Sequence, residues 1–424
     1  MNSKSVAFHH FGCKVNYAEA SSIARQFHEK GFEICSIHDS ADIYVISSCA
    51  VTLVAEKKCR AAIRQAHKKN PKATIAIVGC LAELKPDALL AMEGVDLVLG
   101  HARKFHLPEE LENPGYFPEK KAGVFMPAYS SGDRTRSFLK IQDGCNYRCA
   151  YCTIPLARGK SRSDTISNVV NSAREIGRHG IHEIVLTGVN IGDFGTANGE
   201  SLSELIRELD NIDEISRFRI SSIEPDLLSD EIIEFVAGSQ RFLPHFHIPL
   251  QSGCNKTLKA MRRRYDCELY AGLIGKIRAL LPNACIAADV IVGFPGETDA
   301  DFEETMVFIK QLDISYLHVF SYSIRDHTFA STMPGRVPEQ VTKNRSEKLH
   351  RLSEEKKKHF YHQNQGCEVR VLYESDNTNG YMHGFSENYI KVKTPFNPLL
   401  MNTIRTVKLT MPSDDGCFID EITT

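Results

Sequence analysis

Six cysteines in this chain have the types of neighbour and the spacing of metal ligands. In the segment GCNYRCAYC, Cys145, Cys149 and Cys152 are separated by three and then two residues. Three thiolates that close can hold three irons of a cubane cluster, leaving the fourth iron open for a substrate or cofactor. A closed zinc site needs a fourth ligand, and neither His179 nor His182 downstream has zinc-finger spacing. Gly144, Asn146, Tyr147 and Arg148 mark the segment as a polar loop rather than core. A second trio, Cys13, Cys49 and Cys80, is spread over the first hundred residues at roughly one βα unit per step. One such cysteine alone reads as a small buried hydrophobe. Three in a shared register read as a site for a second cluster, again with an open iron, or for zinc with His9 or His10 as the fourth ligand. The remaining seven, Cys35, Cys59, Cys254, Cys267, Cys285, Cys367 and Cys417, read as core packing.

The elements that must position these thiols can be read from hydrophobic patterning. Short apolar runs at 6–11, 43–47, 74–79 and 96–99 alternate with helical patterns at 17–30, 53–69 and 86–92, which predicts a parallel sheet with covering helices. Cys13, Cys49 and Cys80 each follow a strand, at the sheet edge where open α/β folds bind ligands. Repeated Pro and Gly from Leu107 to Gly132 predict a linker. Strands are then expected at 138–141, 183–187, 217–221, 245–248, 285–292 and 316–320, with helices between them, such as 166–178, 202–209 and 300–312. Six βα units predict a partial or full (β/α) barrel, with Cys145, Cys149 and Cys152 on the active face after its first strand. A polar helix at 339–363 leads to a tail with strand-like runs at 368–373, 389–394 and 403–409, which predicts a small OB-like β-barrel. The expected division is 1–106, a linker 107–135, a barrel with its exit helix 136–360, and a β domain 361–424.

Composition excludes several classes. The 424 residues are 42% hydrophobic and 25% charged, an ordinary globular balance. No apolar run approaches the ~20 residues of a membrane span, and the N-terminus lacks a secretory pattern, so a cytoplasmic protein is expected. Thirteen cysteines in such a chain argue for metal or catalysis rather than a disulfide framework. Net charge is −2, so RNA contacts would fall to local basic runs such as 256–264 and 343–358, although solvated helix faces are the simpler reading of those runs.

The CxxxCxxC loop, with Tyr151 before its last cysteine, resembles the signature of the radical S-adenosylmethionine superfamily. FGCKVN, SSCAVT, VGCLAE, DGCNYRCAYCTIPLARGKSRS, LTGVNIGDFG, SSIEP, HIPLQSG and ADVIVGFPGET together resemble the methylthiotransferase family across the whole chain, and the tail resembles its RNA-binding TRAM domain. GCKVN is similar to the branch acting on threonylcarbamoyl-adenosine (t6A) at position 37 of tRNA. Sister branches act on isopentenyl-adenosine in tRNA or on a ribosomal-protein aspartate, and a non-catalytic iron–sulfur or zinc RNA-binding protein is the alternative of another class. The chain departs from the family pattern at His9–His10, at Ser47–Ser48 and in the order Tyr17–Ala18–Glu19.

The resemblance implies two 4Fe–4S clusters, an auxiliary one on Cys13, Cys49 and Cys80 and a radical-generating one on Cys145, Cys149 and Cys152. It implies two S-adenosylmethionine molecules per turnover, one methylating a sulfur at the auxiliary cluster and one cleaved to a 5′-deoxyadenosyl radical. Carbon 2 of the adenine has no leaving group and no acidic hydrogen, so a radical step suits it. By the same resemblance Tyr151, Gly188, Asn190, Ser221, Glu224 and Gln251 contact the cofactor, with Glu224 on ribose hydroxyls. The partners implied are tRNA bearing t6A and a reductant protein, with no membrane. The oligomeric state is left open, with a monomer favoured.

Overall fold

The sheet that carries Cys13, Cys49 and Cys80 is parallel throughout. Its strands are β1 (Ser5–His10), β2 (Glu33–Cys35), β3 (Ile43–Ser48), β4 (Thr74–Gly79) and β5 (Leu97–Leu99), in the order β2-β1-β3-β4-β5. The central β3 is buried along its whole length, as a strand covered on both faces must be. Helices α1 (Lys14–Glu29), α2 (Leu53–Lys69), α3 (Cys80–Leu84), α4 (Pro86–Leu90) and α5 (Leu107–Glu112) complete this unit. The computed structural model describes residues 4–115, 123–132, 135–410, 412–413 and 416–420. Within the expected linker, α5 forms on its Pro108 start, while 116–122 and 133–134, with Pro118, lie outside the described residues.

β6 (Ala128–Tyr129) pairs antiparallel with β7 (Arg136–Lys140), and a short hairpin of β8 (Gln142–Asp143) and β9 (Arg162–Ser163) flanks the cysteine loop. β7, β10 (Glu183–Thr187) and β11 (Arg217–Ile220) form one parallel sheet; β12 (His245–His247), β13 (Cys285–Val292) and β14 (Tyr316–Ser321) form another. Single parallel bridges, Phe218–Phe242 and Ser222–His247, join the two. Among the described residues β14 does not pair with β7, so the six strands make a partial barrel. Around it run α6 (Ile154–Arg158), α7 (Ile166–Arg178), α8 (Leu202–Asp210), α9 (Asp230–Gly238), α10 (Asn255–Ala260), α11 (Cys267–Leu280) and α12 (Asp299–Gln311). All but α6, whose Ala157 packs into the core of the N-terminal unit, bury one continuous core with Leu186, Phe218, Ile248 and Val290.

The long exit helix α13 (Glu339–Gln363) leads to β15 (Glu368–Tyr373), β16 (Tyr381–Phe385), β17 (Lys391–Pro395), β18 (Ile404–Lys408) and β19 (Phe418–Ile419). Their order is β18-β15-β16-β17-β19, antiparallel except for β17–β19. The sheet curls into a half-barrel whose edge strands, among the described residues, do not pair with each other, rather than the closed barrel expected. It seals the N-terminal end of the α/β barrel. There the guanidinium groups of Arg217 and Arg219 donate to the carbonyls of Arg370, Ser386 and Glu387, and the ring of His245 stacks on Tyr389 at 4.3 Å.

The N-terminal unit closes on the barrel at two places. α1 packs on β6 and β7, with Tyr17 edge-on to Phe138 at 5.6 Å and Ile23 and Phe27 in one cluster with Phe138 and Val185. On the other side, the Ser323 hydroxyl accepts from Leu53 N–H at 3.2 Å, and Arg325 Nε donates to Val51 O at 3.2 Å. Of the seven cysteines expected in the core, Cys59, Cys254, Cys267, Cys285 and Cys417 are buried, and Cys35 and Cys367 are partly exposed.

Candidate active site

All three cysteines of the first trio sit at C-terminal strand ends, and they converge: Cys49 feels the charges of both Cys13 and Cys80. Cys13 caps the N-terminus of α1 and is exposed, while Cys49 and Cys80 are buried. The helix N-terminus favours a thiolate, and Val51 N–H donates to Cys49 Sγ at 3.5 Å. Gly12 has φ +108°, and a Cβ there would come within 3.0 Å of Cys49 Sγ, so only glycine lets the Cys13 turn approach Cys49 this closely. The departure Ser48 is structural: its hydroxyl donates to Val78 O at 2.7 Å and accepts from Ala82 N–H at 3.1 Å, fixing the start of α3 beside Cys80.

The second trio occupies the loop after β8, and Cys152 feels both Cys145 and Cys149. Tyr147 N–H donates to Cys145 Sγ at 3.3 Å. A Cβ on Gly144 would lie 2.1 Å from Lys160 O, so this loop too closes only around glycine. Burial raises the thiols of Cys80 and Cys145 above their usual range and pushes Cys49 up to about 11 and Cys152 up to about 12. Metal must therefore displace protons from them on binding.

One cavity of about 210 Å³ lies where the N-terminal unit meets the barrel, beside Cys152. One wall is Val51 and Thr52, just after Cys49; another is Tyr151, Cys152 and Thr153; the rest comes from Gln251, Asp289, Ile291 and Tyr322 of the barrel. A wider groove of about 700 Å³ lies on the outer face between α11 and α12 and holds none of the expected site residues.

The cavity is lined with polar groups awaiting partners. Gln251 Oε1 and Tyr322 Oη in its wall are buried without a hydrogen bond; outside that wall, in the loop after β10, so are both amide atoms of Asn190. Gln251 also holds φ +65°, a strained conformation for a non-glycine residue. Orphaned buried polar atoms cost about 1–3 kcal/mol each, so a polar ligand supplying their partners fits. Ser221 is buried after β11. Gly188 leaves no room for a Cβ, which would sit 2.9 Å from Gln142 Oε1.

Sequence reading missed several residues that build this site. Gln142 Oε1 accepts from Val189 and Asn190 N–H at 2.9 and 2.8 Å, and its Nε2 donates to Gly144 O at 2.8 Å, tying the Asn190 loop to the cysteine loop. Arg263, in the basic run read as a solvated face or a phosphate track, is instead buried. It pairs with Glu224 and lies 3.1 Å from Cys149 Sγ and 3.4 Å from Tyr151 Oη. Burial opposes its charge, but Tyr151, Tyr265 and Cys149 more than offset that and hold it above the ordinary guanidinium range. Glu224, expected on a ribose, is engaged by Arg263 in this state.

Between the trios lies a buried ion network. Glu19 of α1 receives Lys104, Lys140 and Arg158 at 2.5, 2.7 and 2.9 Å; Arg158 and Lys140 also reach Asp143 at 2.9 and 3.0 Å. Arg158 Nη2 donates to Asn16 Oδ1 at 2.6 Å and its Nε to Cys80 Sγ at 3.3 Å. Burial would raise Glu19 and Asp143, yet the surrounding cations hold both well below the carboxylate range. Three buried cations face two buried carboxylates, and Cys80 is the group placed to supply the missing negative charge.

A six-stranded partial barrel with a three-cysteine loop after its first strand, faced by a parallel sheet that presents a second cysteine trio, defines an α/β-barrel protein with two thiol-rich sites. The "Radical SAM superfamily" profile matches residues 139–309, and "Uncharacterized protein family UPF0004" matches 5–100. The chain belongs to the family of threonylcarbamoyladenosine tRNA methylthiotransferases: it is 38% identical to the Bacillus subtilis protein named threonylcarbamoyladenosine tRNA methylthiotransferase MtaB, over 99% of this chain and 98% of that one. It is 37% identical to the protein of that name from Aquifex aeolicus, over 92% of this chain and 96% of that one. A tRNA-2-methylthio-N(6)-dimethylallyladenosine synthase of Cereibacter sphaeroides is 32% identical over 86% of each chain. The radical S-adenosylmethionine methyltransferase TsrM of Kitasatospora setae shares the fold, with TM-score 0.56 and 14% identity over 78% of this chain and 77% of that one.

Proposed function

We infer that this chain is a radical S-adenosylmethionine enzyme that adds a methylthio group to carbon 2 of t6A in tRNA, at position 37. The observation that carries the reading is one cavity walled by Cys152 of the second trio and by Val51 and Thr52, just after Cys49 of the first, in a chain matched over 99% of its length by a methylthiotransferase of this name. A single-cluster enzyme leaves Cys13, Cys49 and Cys80 without a purpose.

Cys145, Cys149 and Cys152 would hold the radical-generating 4Fe–4S cluster, and Cys13, Cys49 and Cys80 the auxiliary one. With S-adenosylmethionine bound, these groups supply a hydrogen-abstracting radical and a methylated sulfur. The protein's part is positional. Asn190 and Gln251 offer amide groups to the cofactor, Gly188 lets the loop approach, and Ser221 and Tyr151 border it. Glu224 would exchange Arg263 for ribose hydroxyls.

The substrate is tRNA; the finer reading, t6A rather than dimethylallyl-adenosine, is supported by the higher identity to relatives named for threonylcarbamoyladenosine. A reductant protein delivers electrons, and the chain works in the cytoplasm. No described helix is long and apolar enough to cross a membrane.

The test is mass spectrometry of tRNA nucleosides from a host that makes t6A but not its methylthio derivative, expressing this chain. A nucleoside heavier by one methylthio-for-hydrogen exchange is expected. Unchanged t6A, with soluble protein holding both clusters, overturns the t6A reading.

A further inference from the structure

The turn Arg262–Arg264 sends its guanidinium groups two ways. The Arg263 side chain is buried and reaches Cys149 Sγ at 3.1 Å. Arg262 and Arg264, on either side of it, are exposed. Arg262 holds φ +59°, a left-handed conformation that a non-glycine residue keeps only where its surroundings fix it. The turn is anchored on the cysteine loop: Ala150 N–H donates to Met261 O at 3.0 Å, and Ala330 N–H donates to Ala150 O at 2.7 Å. The loop is thus clamped between the arginine turn and the segment that carries Phe329.

The outer face of this clamp is cationic. The Arg262 guanidinium lies 3.9 Å from the centre of the Phe329 ring, and that of Arg264 lies 3.8 Å from the centre of the Tyr147 ring. Arg148, between Tyr147 and Cys149 in the chain, is exposed as well. None of these three arginines has an ion-pair partner among the described residues. The Asp226 carboxylate is engaged by the Tyr147 hydroxyl. Phe329 is 51% exposed, a large apolar ring set among unpaired arginines. That composition suits a protein contact, where aromatic and Arg side chains carry most of the binding energy.

We propose that Arg148, Arg262, Arg264 and Phe329 form the docking surface for an acidic one-electron carrier protein, which reduces the cluster of Cys145, Cys149 and Cys152 from outside the cavity. The proposal rests on the radical reading above and not on the choice of t6A. Arg263 alone joins this face to Cys149 Sγ, and Cys149 is itself partly exposed, so a docked carrier comes close to the cluster without entering the cavity. One electron leaves the carrier, which is oxidised by one unit, and enters the site of the three cysteines, whose cluster is reduced by one; no bond breaks and no proton moves. Opposite charge steers such brief encounters and governs their rate more than their affinity. Phosphates would also suit these cations, but an RNA has to deliver a base into the cavity, and none of the four residues lines it.

The test uses the enzyme with both clusters loaded and two acidic probes, a bacterial flavodoxin and a bacterial ferredoxin, each reduced beforehand and freed of excess reductant. Cluster reduction is followed anaerobically by stopped-flow absorbance for the wild type, for Arg262→Glu with Arg264→Glu, and for Arg262→Lys with Arg264→Lys. Dithionite, which needs no docking surface, is the control reductant. With at least one probe the wild-type rate should fall as salt rises. The Glu variant should lower that rate about tenfold, with iron content and dithionite-driven formation of 5′-deoxyadenosine unchanged. The Lys variant keeps the charge and should keep most of the rate. Reduction of the wild type by neither probe, a rate indifferent to salt, or equal rates in the wild type and the Glu variant overturns the proposal. So does an equal loss in the Lys variant, because charge would not be the cause. Unchanged carrier rates with weakened affinity for stem-loop RNA overturn it in favour of a phosphate track. Absence of 5′-deoxyadenosine from the dithionite-treated wild type sinks the radical reading itself, and the docking surface with it.

Discussion

Arg158 donates through Nε to Cys80 Sγ at 3.3 Å, across a domain interface and 78 positions of sequence. The same guanidinium holds Asp143, two residues before Cys145, at 2.9 Å. One side chain therefore touches a ligand of the first trio and the strand end that launches the second. The positions of the two sites are set relative to each other by a rigid buried fork rather than by a linker.

Removing that fork should uncouple them. Arg158→Ala leaves Glu19 and Asp143 short of a cation in a buried site, which costs about 3 kcal/mol by the usual price of breaking a buried pair. Iron content should fall from two clusters toward one, with the loss at the first trio. Arg158→Lys keeps the charge but not the planar fork and should restore stability more than iron. Thermal unfolding and iron analysis check both. Full iron loading in Arg158→Ala would refute the coupling.

The network also sets an acid limit. Burial and Lys104 push His101 down to about 4, against the pull of Asp143 2.8 Å away. A histidine with a depressed folded pKa binds its proton more readily when unfolded. Its contribution to stability is therefore complete above about pH 6.5 and is lost as the pH falls toward 4. The span amounts to about 3 kcal/mol. Glu19 and Asp143 are depressed as well, so they add a further loss below the carboxylate range. The midpoint of thermal unfolding should drop from pH 6.5 to pH 4 in the wild type and drop less steeply in His101→Asn; equal slopes would refute the assignment.

Which parts of this site were legible in the sequence follows from how local each signal is. The cysteine trios were readable because each cysteine of the first follows an apolar strand and those of the second sit within eight residues of one another, and the strand positions 74–79, 183–187 and 285–292 match those observed. The exposed edge strand β2 was not readable, since its three residues are scarcely buried and carry no alternation. β16 was hidden by Gly384 and by half-buried neighbours. Glu19, Lys104, Lys140 and Arg158 come from four separate segments, and each in isolation resembles a solvated surface charge. Only the docking of α1 on β7 makes them interior. Arg263 was hidden the same way, inside a run of cations whose other members lie nearer the surface.

Gln142 should control cofactor binding without touching the cofactor. Gln142→Leu leaves the N–H groups of Val189 and Asn190 unpaired, at about 1–3 kcal/mol for each buried donor. The Asn190 loop would loosen, and the affinity for S-adenosylmethionine, read by calorimetry on anaerobic protein with intact clusters, should fall about tenfold. Stem-loop RNA affinity should hold. Equal losses of both would mean that the substitution disturbs the barrel as a whole.

The division of labour between the trios makes the sharpest prediction because the segments that follow the two cysteines compared, Tyr151–Thr153 and Val51–Thr52, line one cavity. Cys149 belongs to the loop beside Arg263 and Tyr151, the side proposed above to hold the cofactor. Cys49 belongs to the facing sheet, with Val51 and Thr52 as its share of the cavity wall. Under reducing, anaerobic conditions Cys149→Ala should abolish cleavage of S-adenosylmethionine to 5′-deoxyadenosine, while Cys49→Ala should retain cleavage and lose methylthiolation. Cleavage in both variants would mean that the cysteine loop is not where the radical is made. Loss in both would mean that the facing sheet is needed to assemble the radical site, and the separation of roles argued from the cavity would fail.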